Sequence, residues 1–283
     1  GMESHGAPPG YHLLLLLVCF WPVAFYIYPA LLKAWSWRDN LGIRFCIAWV
    51  VPMWVVLELV ATKLPHYTLP LYPAIAIICA TGIEKGYSLR GLFGNVVISL
   101  WAMTGLAIAV VFLYVPIYLN TEITLSVLAA SIILFAGVVF GLVYIYKNRY
   151  QLATLGTVIL SGASLLCFVT LVLPNQEPLW LTKNITSDIR KQFGTVPQII
   201  SAGYNEPSLV FMTRTDIKFG NGADAATFLQ RLKTSVAVVD ERENELFLTT
   251  VRDKGIMVRK IAEAKGLNYS RGKWKNISVY VKN

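Results

Sequence analysis

Six apolar runs fill most of residues 11–173, at about Tyr11–Leu32, Phe45–Ala61, Leu69–Ile83, Val96–Leu119, Ile123–Ile145 and Leu152–Leu173. Most reach or approach the ~20 residues a helix needs to cross a bilayer. In hydrocarbon, every backbone N–H and C=O must be paired within the protein. Runs of this length therefore predict a membrane bundle of about six helices. The third run is short for a span and is expected to start deeper or to be partly re-entrant. Pro22 and Pro29 in the first run are tolerable where neighbouring helices answer the carbonyls they free.

Charge divides the chain in two. Residues 1–174 carry eight Lys/Arg and five Asp/Glu, and residues 175–283 carry seventeen and eleven. The expected organisation is a multi-spanning region over 1–174, then a soluble periplasmic α/β domain over 175–283. The net charge of +9 invites a nucleic-acid partner. The basic residues of the second part are interleaved with acids and form no tract, so nucleic acid is excluded; anionic lipid is the better match. Cys19, Cys46, Cys79 and Cys167 all lie in apolar runs. They offer neither a disulfide framework nor zinc spacing and read as small buried thiols.

The loops at 33–44, 84–91 and 146–150 hold seven of the eight basic residues of the first part. The positive-inside rule makes these loops cytoplasmic. With six spans, the N-terminus, the segment Thr62–Pro73 and the C-terminal domain then all lie outside. No basic n-region precedes the apolar run at Leu13, which argues against a signal peptide.

In the second part, QIISAGY (198–204), DIKFG, SVAVVDE, IMVRKIAEA and ISVYV (277–281) read as strands. EPSLVFMTRT, ADAATFLQRLK and RENELFLTTVRDKG read as helices. Alternation of this kind predicts a mostly parallel sheet closed by an antiparallel hairpin. There is no GxGxxG fingerprint, and FGNGAD reads as a turn.

The segment TKLPHYTLPLYP (62–73) joins two apolar runs at a membrane surface. Pro65, Pro70 and Pro73 keep the backbone from passing through as one helix. Lys63, His66 and Tyr67 put a cation, an imidazole and a phenol close together, a set suited to an anionic head group. The same residues also suit a proline-broken turn with a snorkelling lysine and an interfacial tyrosine. Glu58, inside the second run, is costly unless paired, and Lys63 is its nearest partner in sequence. Ahead of the first run, Glu3 and His5 could hold a divalent metal, or could be a solvated end.

ESHGAPPGYHLLLL, TKLPHYTLPLYPAIAI, SAGYNEPSLVF and GLNYSRGKW together resemble bacterial lipid A aminoarabinose transferases. They are also similar to the related protein O-mannosyltransferase-like membrane glycosyltransferases of the GT-C type. The resemblance covers the whole chain but only the later half of the family's length. It implies sugar transfer from a polyprenyl-phosphate carrier to a lipid A-like or protein acceptor at the outer face of a bacterial inner membrane. It further implies that Lys63, His66 and Tyr67 face the carrier phosphate and that Glu3 and His5 approach a divalent metal. The family's catalytic aspartate has no counterpart here, since Asp39 falls in a cytoplasmic loop. Activity is therefore expected to need the missing half, as a separate N-terminal chain or in a longer native protein. The alternative is a non-catalytic membrane protein, or a truncated relic, that binds lipid or a partner.

Overall fold

The computed structural model describes residues 6–86, 89, 91–232, 234–269 and 272–283. They form two compact units. One comprises residues up to Tyr118 together with Glu122–Leu173, and the other Leu119–Thr121 together with Pro174–Asn283.

The first unit is helical. Helix α1 (Tyr11–Cys19) breaks at Phe20, and the chain turns by 90° into a second arm, Trp21–Trp37. That arm is a 3-10 turn, helix α2 (Ala24–Ala34) and another 3-10 turn. The single span expected over Tyr11–Leu32 is thus a bent pair. Pro22 sits in the first turn of the second arm, where its missing N–H costs least. Helix α3 (Leu41–Leu59) starts at Asn40, whose Oδ1 accepts from Ile43 N at 3.2 Å. A 3-10 helix, Pro65–Leu71, runs directly into α4 (Tyr72–Glu84). Then come α5 (Gly91–Tyr118), α6 (Leu125–Tyr146) and α7 (Tyr150–Cys167), the last ending in a π-helical turn, Phe168–Val172. Among the described residues, five helices are long and apolar enough to span a membrane, or six with the bent pair taken as one. The short third run becomes a 20-residue span because the 3-10 turn extends it back to Pro65.

Two buried tryptophans hold the break in the first span. Trp21 and Trp101 stack with centroids 5.6 Å apart and planes 2° from parallel. Trp21 Nε1 donates to Trp101 O at 2.9 Å, and Trp101 Nε1 donates to Trp21 O at 2.8 Å. Thr157 Oγ1 donates to Pro22 O at 3.0 Å. Carbonyls at the break are therefore answered by neighbouring helices, as lipid burial demands. Gly105 makes room for the stack, since a Cβ there would lie 2.2 Å from the Trp21 ring.

The second unit is a five-stranded sheet between helices. In chain order it runs α8 (Leu181–Phe193), β1 (Gln198–Ala202), α9 (Pro207–Met212), β2 (Lys218–Gly220), α10 (Gly222–Arg231), β3 (Ser235–Asp240), α11 (Glu241–Asp253), β4 (Val258–Asn268) and β5 (Lys273–Lys282). Strand order is β2-β1-β3-β5-β4. Each strand and helix read from the sequence is present. The sheet is evenly mixed rather than mostly parallel: β1 pairs parallel with β2 and β3, and β5 pairs antiparallel with β3 and β4. The cause is the terminal hairpin, which inserts β5 between β3 and β4 and so separates the two strands that α11 connects. Helix α8 was not read from the sequence. Leu181, Ile185 and Ile189 give it one apolar face, packed in the core on one side of the sheet with Ile199, Val236 and Val238. Ala225, Leu229 and Phe247 of α10 and α11 pack in the core on the other side.

Asp240 ends β3 fully buried and pairs with Lys275 Nζ of β5, while its other oxygen accepts from Arg242 N at 3.2 Å. Removing one member of a buried pair leaves the other charge uncompensated. Lys275→Ala is expected to lower the opening free energy of β3 and β5 amides by about 3–5 kcal/mol, read by hydrogen exchange. Unchanged protection would contradict the pairing.

Candidate functional site

Helix α3 ends at a carboxylate. Glu58 lies in its last turn, and the last carbonyls of a helix lack intrahelical donors. Lys63 supplies them. Its side chain turns back, and Nζ donates to Leu57 O at 3.1 Å, Glu58 O at 2.7 Å and Val60 O at 3.1 Å. Nζ also stands 3.4 Å from Glu58 Oε2. The pairing of Glu58 with Lys63 expected from the sequence is present, and Lys63 is only 4 % exposed. An ammonium has three donors, and three carbonyls occupy them. Lys63 is thus a helix cap and counter-ion in this structure, not an open cation.

The segment ahead of α1 joins this cluster. Gly10 N donates to Glu58 Oε2 at 2.9 Å, and Gly6 forms an isolated antiparallel bridge with Thr62. His12, in the first turn of α1, is completely buried, with Nδ1 3.8 Å from Glu58 Oε1. Among the described residues, neither ring nitrogen of His12, nor Glu58 Oε1, has a hydrogen-bond partner. Sequence reasoning passed over His12. The signal was available: an imidazole at the head of an apolar run, in a chain that also buries a carboxylate.

His66 and Tyr67 belong to the 3-10 helix beyond the cluster. His66 is exposed and Tyr67 half-buried, their rings edge-on at 5.0 Å. Tyr67 N donates to Leu64 O at 3.1 Å, and Thr68 Oγ1 donates to Pro65 O at 3.2 Å, so the turn is internally bonded. Pro65 and Pro73 each occupy a first helical turn, which is why the prolines end one helix and start the next without leaving a gap. Of the three residues expected to face a phosphate, the structure leaves His66 and Tyr67 with accessible surface and commits Lys63 to holding the segment.

Glu3 and His5 lie outside the described residues. Among the described residues, no three His, Cys, Asp or Glu side chains come together as a metal group.

No family model matches the chain. The undecaprenyl phosphate-alpha-4-amino-4-deoxy-L-arabinose arabinosyl transferase of Erwinia tasmaniensis is 31 % identical to it over 174 residues, covering 56 % of this chain and 32 % of that protein. The crystal structure of ArnT from Cupriavidus metallidurans in the apo state superposes with a TM-score of 0.59 at 14 % identity, over 99 % of this chain and 53 % of that one. The same protein bound to undecaprenyl phosphate gives 0.53 at 16 % identity, over 98 % and 52 %. The chain is thus similar in sequence to part of that arabinosyl transferase and in fold to about half of ArnT. It spans about half the length of the ArnT structures and aligns with a third of the curated relative. Like ArnT, it is a multi-pass membrane protein with a mixed α/β domain after the helices.

In this chain the Lys63–Glu58 clamp makes a specific energetic demand. Lys63→Met strands a partly buried carboxylate and uncaps α3. Protection of amides 57–64 in nanodiscs is expected to fall by roughly 3 kcal/mol, with part recovered in Lys63→Met/Glu58→Gln. Equal protection in wild type and Lys63→Met would remove the capping role.

Proposed function

We propose that the chain is part of a glycosyltransferase that moves a sugar from a polyprenyl-phosphate carrier to a lipid A-like or protein acceptor. The observation that carries this reading is the 31 % identity over 174 residues to an arabinosyl transferase whose named donor is an undecaprenyl-phosphate sugar. The fold likeness to ArnT bound to undecaprenyl phosphate supports it. The proposed location is a bacterial inner membrane, with the segment 62–73 at the outer face. The clustering of Lys/Arg in the alternate loops supports that orientation.

In this reading the carrier phosphate lies against the 3-10 helix, where His66 and Tyr67 donate to its oxygens. Lys63 acts through the backbone. By capping α3 and neutralising Glu58 it fixes the entry of the turn that presents both rings, and it keeps a bare carboxylate from repelling the phosphate. Phosphate is the leaving group of the transfer, so donors that strengthen their hold as negative charge develops would lower the barrier. The base that activates the acceptor is proposed to come from the part of the relatives' length that this chain does not align with.

Binding of undecaprenyl phosphate to the chain in nanodiscs tests the phosphate site. Saturable binding is expected. His66→Ala and Tyr67→Phe should each weaken it by about 1.5–3 kcal/mol, as for hydrogen bonds to a charged group. Saturable binding that neither substitution changes would move the phosphate elsewhere. No binding by a folded chain would remove the site.

A further inference from the structure

The second unit carries a cleft of about 110 Å³, apolar with several polar groups in its wall, that the transfer reading does not use. Two separate motifs converge on it. From SAGYNEPS come Tyr204, Glu206 and Ser208, and from GLNYS come Asn268 and Tyr269; α8 adds Thr182. Gly203 makes the turn after β1 with φ 78°, and a Cβ there would meet Asp240 and Glu243 at 3.0 Å. The chain can thus leave the sheet edge sharply and bring Tyr204 against α8.

The cleft is lined by built polar groups. Thr182, Tyr204 and Asn268 are 6 %, 4 % and 7 % exposed. Thr182 Oγ1 lies 2.7 Å from Tyr204 Oη and 2.8 Å from Ser208 Oγ. Among the described residues, these two bonds use two of the three O–H donors and leave one, with several lone pairs, for a guest. Burial foremost, with the Glu206 carboxylate adding to it, pushes the Tyr204 phenol above its ordinary value against the opposing bond from Thr182. It therefore stays a neutral hydroxyl. Asn268 Nδ2 donates to Glu206 Oε1 at 2.5 Å, which places an amide and a carboxylate side by side. Trp180 and the largely exposed Tyr269 add aromatic surface to the lining, and Lys183 opposes the charge of Glu206.

We infer that this cleft binds the edge of one neutral pyranose ring. Paired hydroxyls and an adjacent carboxylate and amide can exchange hydrogen bonds with vicinal hydroxyls, and an aromatic face covers the apolar C–H face of a sugar. Lys183 and Glu206 have opposite charges, so the described lining carries no net charge. The volume is well below the ~300–1,000 Å³ of sites that enclose a drug-sized ligand, so the guest is one end of a glycan rather than a buried oligosaccharide. The inference stands apart from the transfer reading.

The test uses the full chain in phospholipid nanodiscs, exchanged out of any sugar-headed detergent. Methyl β-D-glucopyranoside, methyl α-D-mannopyranoside and N-acetylglucosamine are presented by saturation-transfer NMR. A fourth sample carries a glucosyl lipid in the disc, to separate a free sugar from a lipid-linked one. Transfer to at least one ring is expected, with a millimolar Kd. Ser208→Ala and the surface variant Tyr269→Ala should each weaken it about fivefold, with hydrogen-exchange protection of β1 and β3 unchanged. Signal from the glucosyl lipid alone, lost in both variants, supports the cleft and assigns a lipid-linked source. No transfer in any sample, or transfer that both variants leave intact, overturns the inference.

Discussion

A helix broken inside an apolar layer exposes carbonyls that no water can reach, and the first unit depends on answering them. At the break after α1, Trp101 donates to Trp21 O and Thr157 to Pro22 O. At the end of α3, one ammonium answers three carbonyls. The two solutions differ in kind. The first uses neutral donors from neighbouring helices and locks them by stacking two indoles. The second brings a charge into the protein, which is tolerable because Glu58 is there to balance it.

That second solution links stability to the candidate site. The carboxylate that balances Lys63 also accepts from Gly10 N, so the segment before α1 and the segment after α3 share one anchor. His12 sits beside it, fully buried, with no hydrogen-bond partner among the described residues. The turn carrying His66 and Tyr67 follows immediately. Rings on a short 3-10 turn hold their direction only if the turn's entry is held, and the clamp at residues 57–63 is what holds it.

Much of the architecture was legible in the sequence for physical reasons. Apolar runs of bilayer length have few folded solutions, so the helical membrane region followed from run length. In the second unit, the buried run SVAVVD and the helix 241–253 ending at Gly255 announced themselves by pattern and punctuation. Helix α8 was missed because its apolar residues are only four, Leu181, Ile185, Ile189 and Phe193, spread among polar ones soon after a hydrophobic span. The bend at Phe20 was missed because hydropathy does not record direction. Lys63, His66 and Tyr67 were legible as a group, but not their division of labour, since sequence distance does not say where a lysine's stem turns.

By itself the sequence determined the membrane character, the division into an apolar part and a charged part, and the concentration of polar chemistry at 62–73. These depend on composition and local spacing, which the chain carries whatever its fold. Tertiary structure alone decided that Lys63 is a cap, that His12 meets Glu58 across forty-six positions, and that Tyr204 and Asn268 line one cleft. It also decided that β5 parts β3 from β4. Each of these is a contact between residues far apart in the chain or a choice of side-chain direction. Such contacts are set by which surfaces must be buried together, and no local pattern encodes that.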